Sequence, residues 1–269
     1  MDTTYILGHA DAETRRLLLQ AKMYDGYTEH ALRVAGLRPG MRVLDIGCGP
    51  GDVSFIASRL VGPTGMVLGI DASAEIVELA RARAAELTVH GVLFEQSTIA
   101  DITLDQPVDA VIGRLILMHL PDAASALRDL AAHVRPGGII AFSEIDVTAA
   151  RTIPAQPLYQ AMIDAICKTF AGMGVDPAFA TRVHVLFRQA GLNAVQLTSG
   201  APLGRADDTE FLTCAVESWR SVYQMAERLG LVTDELAEPD TLLPPLRDEV
   251  ANADAIVMLP TLISAWTTV

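Results

Sequence analysis

A run of glycines and two aspartates are the residues of this sequence whose types and spacing could do chemistry. The run VLDIGCGPG occupies 43–51 and places Gly47, Gly49 and Gly51 at alternate positions after a short apolar segment. Glycine reaches positive φ and has no Cβ, so the backbone amides of such a turn can approach a ligand closely at the start of a helix. The run therefore predicts a ligand-binding turn.

Asp45 restricts the kind of ligand that this turn would accept. It lies two residues before Gly47, where a carboxylate opposes a pyrophosphate but suits an ammonium group and a cationic sulfur. The glycine spacing is GxGxG with Pro50 in the turn, whereas dinucleotide folds use GxGxxG. These features disfavour an NAD-dependent oxidoreductase, although that class would share the same layout of strands.

Asp71 is the second acid. It closes the next apolar segment, in LGIDAS, 24 residues after Gly47. A carboxylate at that place can accept a hydrogen bond from each of two ribose hydroxyls. The turn and this acid together indicate a ligand that contains a nucleoside.

Alternating strands and helices must position these residues. Apolar segments predict strands at 41–46, 66–70, 91–96, 108–113 and 138–145. Helical patterns fall between them at 52–61, at 74–87 with Ser73 as N-cap, and at 122–134. Nearly continuous apolar strands separated by helices are typical of a parallel sheet covered on both faces, which is an α/β fold.

The chain after residue 150 follows a less regular pattern. We expect helices at 157–170, 178–191, 208–230 and 243–257, and strands at 193–200 and 259–266. The second half would therefore complete the sheet while inserting extra helices between its last strands.

Four segments in this order resemble the motif series of class I S-adenosylmethionine (SAM)-dependent methyltransferases: VLDIGCGPG, GIDAS, VDAVIGRLILMHLPD and LRDLAAHVRPGGIIAFSEID. The resemblance covers about residues 36–146. The N-terminal YILGH and the AGLRPG before the first strand are similar to small-molecule methyltransferases of bacterial secondary metabolism. The resemblance implies a Rossmann-like, seven-stranded, mostly parallel sheet with helices on both faces, N-terminal helices and an inserted helical lid.

The resemblance also implies a domain layout. Residues 1–40 would form an N-terminal helical cap and 41–150 the SAM-binding core. Residues 151–178 and 205–257 would form the helical lid over the carboxyl edge of the sheet, and 179–204 and 258–269 would complete the sheet.

The cofactor site implied by the resemblance lies mainly in the core. Asp45 and the glycines would hold the methionine end of SAM, Asp71 the ribose, and the backbone at Gly113 and Arg114 the amino group. Ser97 and Thr98 stand where the family often has an acid near the adenine, so that contact would be uncharged. The full expected cofactor-binding set is Asp45, Gly47, Cys48, Gly49, Asp71, Ala72, Ser97, Thr98, Gly113, Arg114 and Tyr24.

His119 and Glu144 are the candidate catalytic residues. His119, in LILMHLPD, is either a general base near the reacting methyl group or a packing histidine. Glu144 and Asp146 lie at the carboxyl end of the fifth strand, where they would either orient or deprotonate a nucleophile or cap the next turn. Two acids without a third ligand do not predict a metal site. The guanidinium of Arg114 would pair with an acidic substrate group.

Two further groups of residues, rich in aromatic rings, lie in segments predicted to be mainly helical. The N-terminal group contains Tyr5, His9, Gln20, Tyr24, Tyr27 and His30, of which Tyr24 is the candidate cofactor contact. The second group, in the expected lid, would line a mostly apolar acceptor pocket; it comprises Phe170, Met173, Phe211, Trp219, Tyr223 and Met225. Trp219 and Tyr223, spaced i and i+4, would either line this pocket or pack against the core domain.

Composition excludes several classes of protein. A net charge of −13 disfavours a nucleic-acid partner, and the basic stretch Arg81-Ala-Arg83 is expected to be a solvated helix face. The sequence has no apolar run long enough for a membrane span and no secretory signal pattern, which favours a cytoplasmic protein. Cys48, Cys167 and Cys214 are too far apart to predict a disulfide framework or a zinc site.

The expected activity is methyl transfer from SAM to the oxygen, nitrogen or carbon of a small molecule, with a homodimer as a possible assembly. Two alternatives share the same motifs: a SAM-binding enzyme repurposed for a non-methylating reaction, and a non-catalytic SAM-binding regulatory protein.

Overall fold

The computed structural model describes residues 12–269; the N-terminal YILGH, with Tyr5 and His9, lies outside the described residues. The helices are α1 Ala12–Ala35, α2 Asp52–Val61, α3 Ala74–Glu86, α4 Ala123–Ala131, α5 Pro157–Gly172, α6 Val183–Gln189, α7 Thr209–Arg228 and α8 Leu243–Asn252. The strands are β1 Arg42–Ile46, β2 Met66–Asp71, β3 Val92–Gln96, β4 Val108–Arg114, β5 Val134–Asp146, β6 Arg151–Ile153, β7 Gln196–Gly200, β8 Leu203–Arg205, β9 Ile256–Met258 and β10 Thr261–Thr268.

Seven strands form one sheet in the order β3-β2-β1-β4-β5-β10-β7. The pairs β1–β2, β1–β4, β2–β3 and β4–β5 are parallel, and they align Asp45 with Gly69 and Ile112. The start of β5 pairs with the chain end after β10, because Gly137 donates to the carbonyl of Val269 at 2.6 Å. This pairing makes β10 antiparallel to β5. The predicted Rossmann-like, mostly parallel seven-stranded sheet is confirmed.

Alternate residues of the central strands enter two different hydrophobic layers. Leu44 and Val111 pack on one face with α4 and α6, while Val43 and Ile112 pack on the other face with α2. Because both faces are covered, these strands are apolar at almost every position. A polar side chain in such a strand is therefore exceptional, and Asp45 in β1 is one.

The structure differs from the expected elements in the second half of the chain. The expected helix at 178–191 divides into a 3₁₀ turn, Phe179–Arg182, and α6. The expected helix at 243–257 ends at Asn252, and Ile256–Met258 forms β9 instead. Strands β6, β9 and β8 form a small antiparallel sheet that the sequence pattern did not indicate, because three-residue strands are too short to show a period.

The chain divides into two compact units. The sheet unit comprises Asp25–Ile145, Phe179–Ser199 and Leu262–Val269. The insert unit comprises the described residues up to Tyr24, Asp146–Ala178 and Gly200–Thr261. The insert unit holds the small antiparallel sheet together with α5, α7 and α8.

Trp219 lies at the centre of the insert unit. Its ring is fully buried, its Nε1 donates to the carbonyl of Leu236 at 3.2 Å, and it meets the ring of Tyr223 edge to face at 5.6 Å. The Tyr223 hydroxyl donates to the carbonyl of Ala237 at 2.6 Å. The pair therefore packs within its own unit and contacts the 236–237 segment; its packing against the core domain and its role in an acceptor pocket both stay predictions. Of the helices in the described part of the chain, none is long and apolar enough to cross a lipid bilayer.

Candidate active site

The glycine turn connects β1 to α2 in the sheet unit. Gly47 and Gly49 have φ of 62° and 53°, in the left-handed region that favours glycine. The amide of Cys48 donates to the carbonyl of Ile70 at 2.9 Å, which ties the turn to β2. The turn is therefore a fixed feature of the sheet edge.

The three glycines of the turn have different surroundings. A Cβ on Gly47 would lie 2.7 Å from Cδ1 of Ile116, and a Cβ on Gly51 would lie 2.9 Å from the rings of Phe55 and Phe94. A Cβ on Gly49 would meet no atom of the described residues 12–269 within 4 Å. Contacts with neighbouring side chains thus explain why Gly47 and Gly51 have no room for a Cβ. The space beside Gly49 is open and is available to a ligand.

Asp71 lies at the end of β2 beside this open space. Its Oδ2 accepts a hydrogen bond from the amide of Gly49 at 3.1 Å, and its Oδ1 accepts one from the amide of Ser73 at 3.0 Å. Each carboxylate oxygen can accept more than one hydrogen bond. Asp71 therefore holds the turn while keeping the capacity to accept from hydroxyl groups of a ligand.

Asp45 is buried next to the turn. Its Oδ2 accepts from the hydroxyl of Ser54 at 2.6 Å, while its Oδ1 is buried without a hydrogen-bond partner in the described residues. Burial raises the pKa of this carboxyl to about 7, although Ser54 and Arg114 act in the opposite direction. A cationic group would stabilise the carboxylate, because an opposite charge in a dry environment favours ionisation. Ser54 is a functional partner that the sequence analysis missed.

An arginine from α3 clamps the end of the glycine turn. Arg83 makes two hydrogen bonds to the carboxylate of Asp52, at 2.7 and 3.2 Å, and a further short one to the carbonyl of Pro50. Its guanidinium also lies 5.4 Å from the centre of the Phe55 ring. The expectation of a solvated basic face is wrong for Arg83, because its side chain is only 12% exposed. Arg81 also has a structural contact, since it donates to the carbonyl of Phe94.

The residues after β3 form a polar corner of the same edge. The amide of Ser97 donates to the carbonyl of Asp71 at 3.0 Å, and the side chain of Gln96 donates to the carbonyl of Ala72 at 3.2 Å. The hydroxyl of Thr98 donates to the carboxylate of Asp101 at 2.6 Å. Sequence reasoning missed Asp101, which supplies a carboxylate three residues after Thr98.

Arg114 ends β4 and pairs with α1 within the sheet unit. Its Nη1 donates to Asp25 at 3.0 Å and to the hydroxyl of Thr28 at 2.9 Å, and its side chain is largely buried. Asp25 and Thr28 thus engage Nη1 of this guanidinium, and its expected pairing with an acidic substrate stays a prediction. The backbone at Gly113 lies under Phe142 and Ile116, each within 3.0 Å of the position a Cβ would take.

Glu144 lies in β5 beneath the turn that follows β4. Its side chain is fully buried, and its Oε1 accepts from the amides of Ile116 at 3.1 Å and Leu117 at 2.8 Å. Burial raises the pKa of this carboxyl to about 8 against the opposing effect of those amides. The turn ends at His119, which is exposed. The sheet unit therefore brings both candidate catalytic residues to the same turn.

Tyr24 belongs to the insert unit. It is almost completely buried, and its hydroxyl donates to the carbonyl of Pro260 at 2.8 Å. This contact gives Tyr24 a packing role, and its expected contact with the cofactor stays a prediction. Asp146, the acid expected beside Glu144, accepts from the amide and hydroxyl of Thr148 and so caps a 3₁₀ turn.

The cysteines are protonated at neutral pH. Burial raises the pKa of Cys48, with Asp45 and Asp71 adding to the effect, and raises those of Cys167 and Cys214 to about 11. Among the residues described, no group of three or more His, Cys, Asp or Glu side chains is arranged to hold a metal ion.

A seven-stranded Rossmann-like sheet with a glycine turn and an acid at the end of β2 defines a nucleoside-binding α/β domain. The family model described as "Methyltransferase domain" matches residues 37–227, so the chain belongs to the methyltransferase-domain family and is a class I SAM-dependent methyltransferase domain. SAM is its cofactor.

Two curated relatives support this assignment. The arsenite methyltransferase of Halobacterium salinarum is 28% identical over 206 residues, which are 76% of this chain and 48% of that protein. The demethylmenaquinone methyltransferase of Lactococcus lactis is 27% identical over 203 residues, 70% of this chain and 79% of that protein. The chain thus spans about half the length of the first of these relatives.

A solved structure shows the same fold with a different activity in its name. The cyclase SpnF is 17% identical, with a TM-score of 0.54 over 91% of this chain and 81% of that one. This likeness concerns the fold alone, so the fold does not by itself decide the reaction.

The residues of the sheet unit fit SAM. The unpartnered Oδ1 of Asp45 suits the ammonium of its methionine part, and the free space beside Gly49 admits a ligand close to the backbone. Asp71 would hold the ribose hydroxyls. When bound, SAM supplies a methyl group on a positively charged sulfur, which is an activated electrophile.

Proposed function

We propose that this protein transfers the methyl group of SAM to a small-molecule acceptor through oxygen, nitrogen or carbon. The observation that carries the proposal is the pair of acids at the glycine turn. Asp71 accepts a hydrogen bond from the amide of Gly49, and Asp45 has a buried oxygen next to the same turn that no described residue bonds. Together they form a negatively charged site for a cationic nucleoside ligand.

The protein's own contribution to such a reaction is alignment and exclusion of water. Displacement at a sulfonium has a neutral leaving group, so positioning of donor and acceptor supplies most of the rate enhancement. His119 is the proposed proton acceptor when the nucleophile arrives protonated, because it is exposed on the turn after β4. An acceptor that arrives unprotonated would not need it.

The acceptor is proposed to be a neutral or weakly charged bacterial secondary metabolite. A net charge of −13 disfavours polyanions, including nucleic acids. The lid role of 151–178 and 205–257, a homodimer and a cytoplasmic location stay predictions.

The decisive experiment combines binding with product analysis. The purified full chain should bind SAM and S-adenosylhomocysteine (SAH) in calorimetry. With methyl-labelled SAM and a panel of phenols, amines and keto acids, it should release labelled product and SAH in equal amounts. SAM binding with an altered but unlabelled product would favour the repurposed enzyme. SAM binding without any turnover across the panel and a cell extract would favour the regulatory protein, and no SAM binding would refute all three.

A further inference from the structure

The turn after β4 is strained and is anchored entirely from β5. Leu115 has φ of 57°, an uncommon conformation for a branched residue that is not glycine. Its amide donates to the carbonyl of Ser143 at 2.8 Å, and the next two amides, of Ile116 and Leu117, donate to Oε1 of Glu144. Such a conformation persists only where neighbouring contacts hold it.

Ser143 and Glu144, the residues of β5 that bond the turn, belong to a buried part of the sheet. The hydroxyl of Ser143, the residue before Glu144, lies 2.7 Å from that of Ser264 in β10, and both side chains are buried. Glu144 itself is fully buried, so it cannot move into solvent without opening the layer around Leu117. The position of its Oε1 is therefore limited by the packing around β5 as well as by its hydrogen bonds to the turn.

The turn determines the position of the Ile116 side chain. Its Cδ1 lies 2.7 Å from the place a Cβ of Gly47 would occupy, and its Cγ2 lies 3.0 Å from the place a Cβ of Gly113 would occupy. Ile116 thus packs directly on the backbones of Gly47 and Gly113, at places where a side chain would clash with it. A shift of the turn would move Ile116, so the Gly47 and Gly113 backbones would lose their contact with its side chain.

We propose that Glu144 is a positioning residue for the cofactor site: its Oε1 fixes the turn at 115–117 so that Ile116 supports the Gly47 and Gly113 backbones, and it takes no proton from the acceptor. The proposal rests on the proposed SAM-binding function. It replaces the expected catalytic role of Glu144, which requires contact with the reacting atoms. Its Oε1 accepts from two amides of its own fold, and its Oε2 is buried without a hydrogen-bond partner in the described residues, so neither oxygen is exposed to an acceptor in solvent.

Two substitutions of similar size separate the two roles. Glu144→Gln keeps an oxygen that can accept from both amides but cannot ionise, whereas Glu144→Met fills the same space without an acceptor. The probe is SAH, with its Kd measured by calorimetry on the full chain. Hydrogen exchange reports on the turn itself, and thermal unfolding shows whether each variant is folded.

We expect Glu144→Gln to bind SAH within about threefold of the unsubstituted protein, and Glu144→Met to bind about tenfold or more weakly, because two buried amides lose their acceptor. The amides of Ile116 and Leu117 should exchange faster in the Met variant alone. The positioning role is refuted if Glu144→Met lowers the melting temperature but leaves the Kd for SAH unchanged. It is also refuted if Glu144→Gln binds SAH as weakly as Glu144→Met.

A separate variant covers the case in which Glu144→Met does not fold. Ile116→Ala removes the side chain that the turn presents to Gly47 and leaves Glu144 and both amides in place. It should weaken SAH binding by about fivefold or more, while normal binding would contradict the proposal. Failure of the unsubstituted protein to bind SAH would instead refute the proposed function, so the two failures are distinguishable.

Discussion

The amide of Gly49 donates a hydrogen bond to Oδ2 of Asp71 at 3.1 Å, so the cofactor turn and the proposed ribose acid hold each other in place. Asp71 therefore has two roles: it fixes the turn, and it offers its remaining lone pairs to a ligand. Replacing Asp71 should weaken ligand binding, because the turn would lose a hydrogen bond and the ligand would lose an acceptor.

Asp71→Ala is expected to weaken SAM binding by roughly 1.5 to 3 kcal/mol, the range for groups that lose a charged acceptor. Calorimetry on the folded variant tests this. Asp105→Ala is the control, because Asp105 is an exposed acid in the loop before β4. An unchanged Kd in a folded Asp71→Ala protein would remove Asp71 from the ribose role.

Gly49→Val is expected to abolish SAM binding while the protein stays folded, because the side chain would enter space that no atom of the described residues occupies. The matched control is Gly191→Val. Gly191 also has positive φ, at 86°, and in the part of the chain that the structure describes no atom lies within 4 Å of the place its Cβ would take. Both variants should lose about 1 to 2 kcal/mol of stability from the backbone conformation. Equal SAM affinity in the two would show that the open space beside Gly49 is not the cofactor site.

Arg83→Ala is expected to weaken SAM binding without unfolding the protein, because the Pro50 carbonyl and Asp52 lose their clamp. Arg83→Lys should restore only part of the affinity, since an ammonium cannot reproduce the two-pronged contact. A double-mutant cycle with Asp52→Asn, read by SAH calorimetry, measures the coupling. Arg59→Ala is the control, as its ion pair with Glu29 is exposed. A coupling energy of zero between Arg83 and Asp52 for SAH binding would contradict the expected role of this contact.

Protein stability should fall as pH rises from about 5 to about 8. The folded-state pKa of Glu144 is raised from 4.5 to about 8, and that of Asp45 from 3.8 to about 7. The folded state therefore binds more protons than the unfolded state between these values, and the stabilisation is lost as pH rises through the folded pKa. Urea unfolding at several pH values tests this. Glu144→Gln should flatten the upper part of the profile, and an unaltered profile would place the pKa of Glu144 near its ordinary value.

Trp219→Ala is expected to destabilise the protein by about 3 to 5 kcal/mol, the usual cost of deleting a fully buried aromatic ring. Trp219→Phe should cost less, although it loses the hydrogen bond to Leu236. Chemical unfolding provides the measurement. If Trp219→Ala kept full stability and lost only turnover with an identified acceptor, the ring would belong to an acceptor pocket.

The sequence alone determined the parts of the fold that depend on local order. Seven strands, the glycine turn and the acid after β2 follow from apolar periodicity and from glycine and aspartate positions, all of which are local along the chain. The turn and Asp71 belong to neighbouring parallel strands, so their meeting at the carboxyl edge follows from the topology.

Contacts between distant segments were decided only by the tertiary structure. The partners of Arg114 and Arg83 lie 89 and 31 residues away, and those of Glu144 lie 27 and 28 residues away, so no local period could reveal them. The same holds for strands β6, β8 and β9, which are too short to show alternation and form only because each supplies the other's hydrogen bonds. A side chain's type limits what it can bind, but burial and the nearest opposite group determine what it does bind.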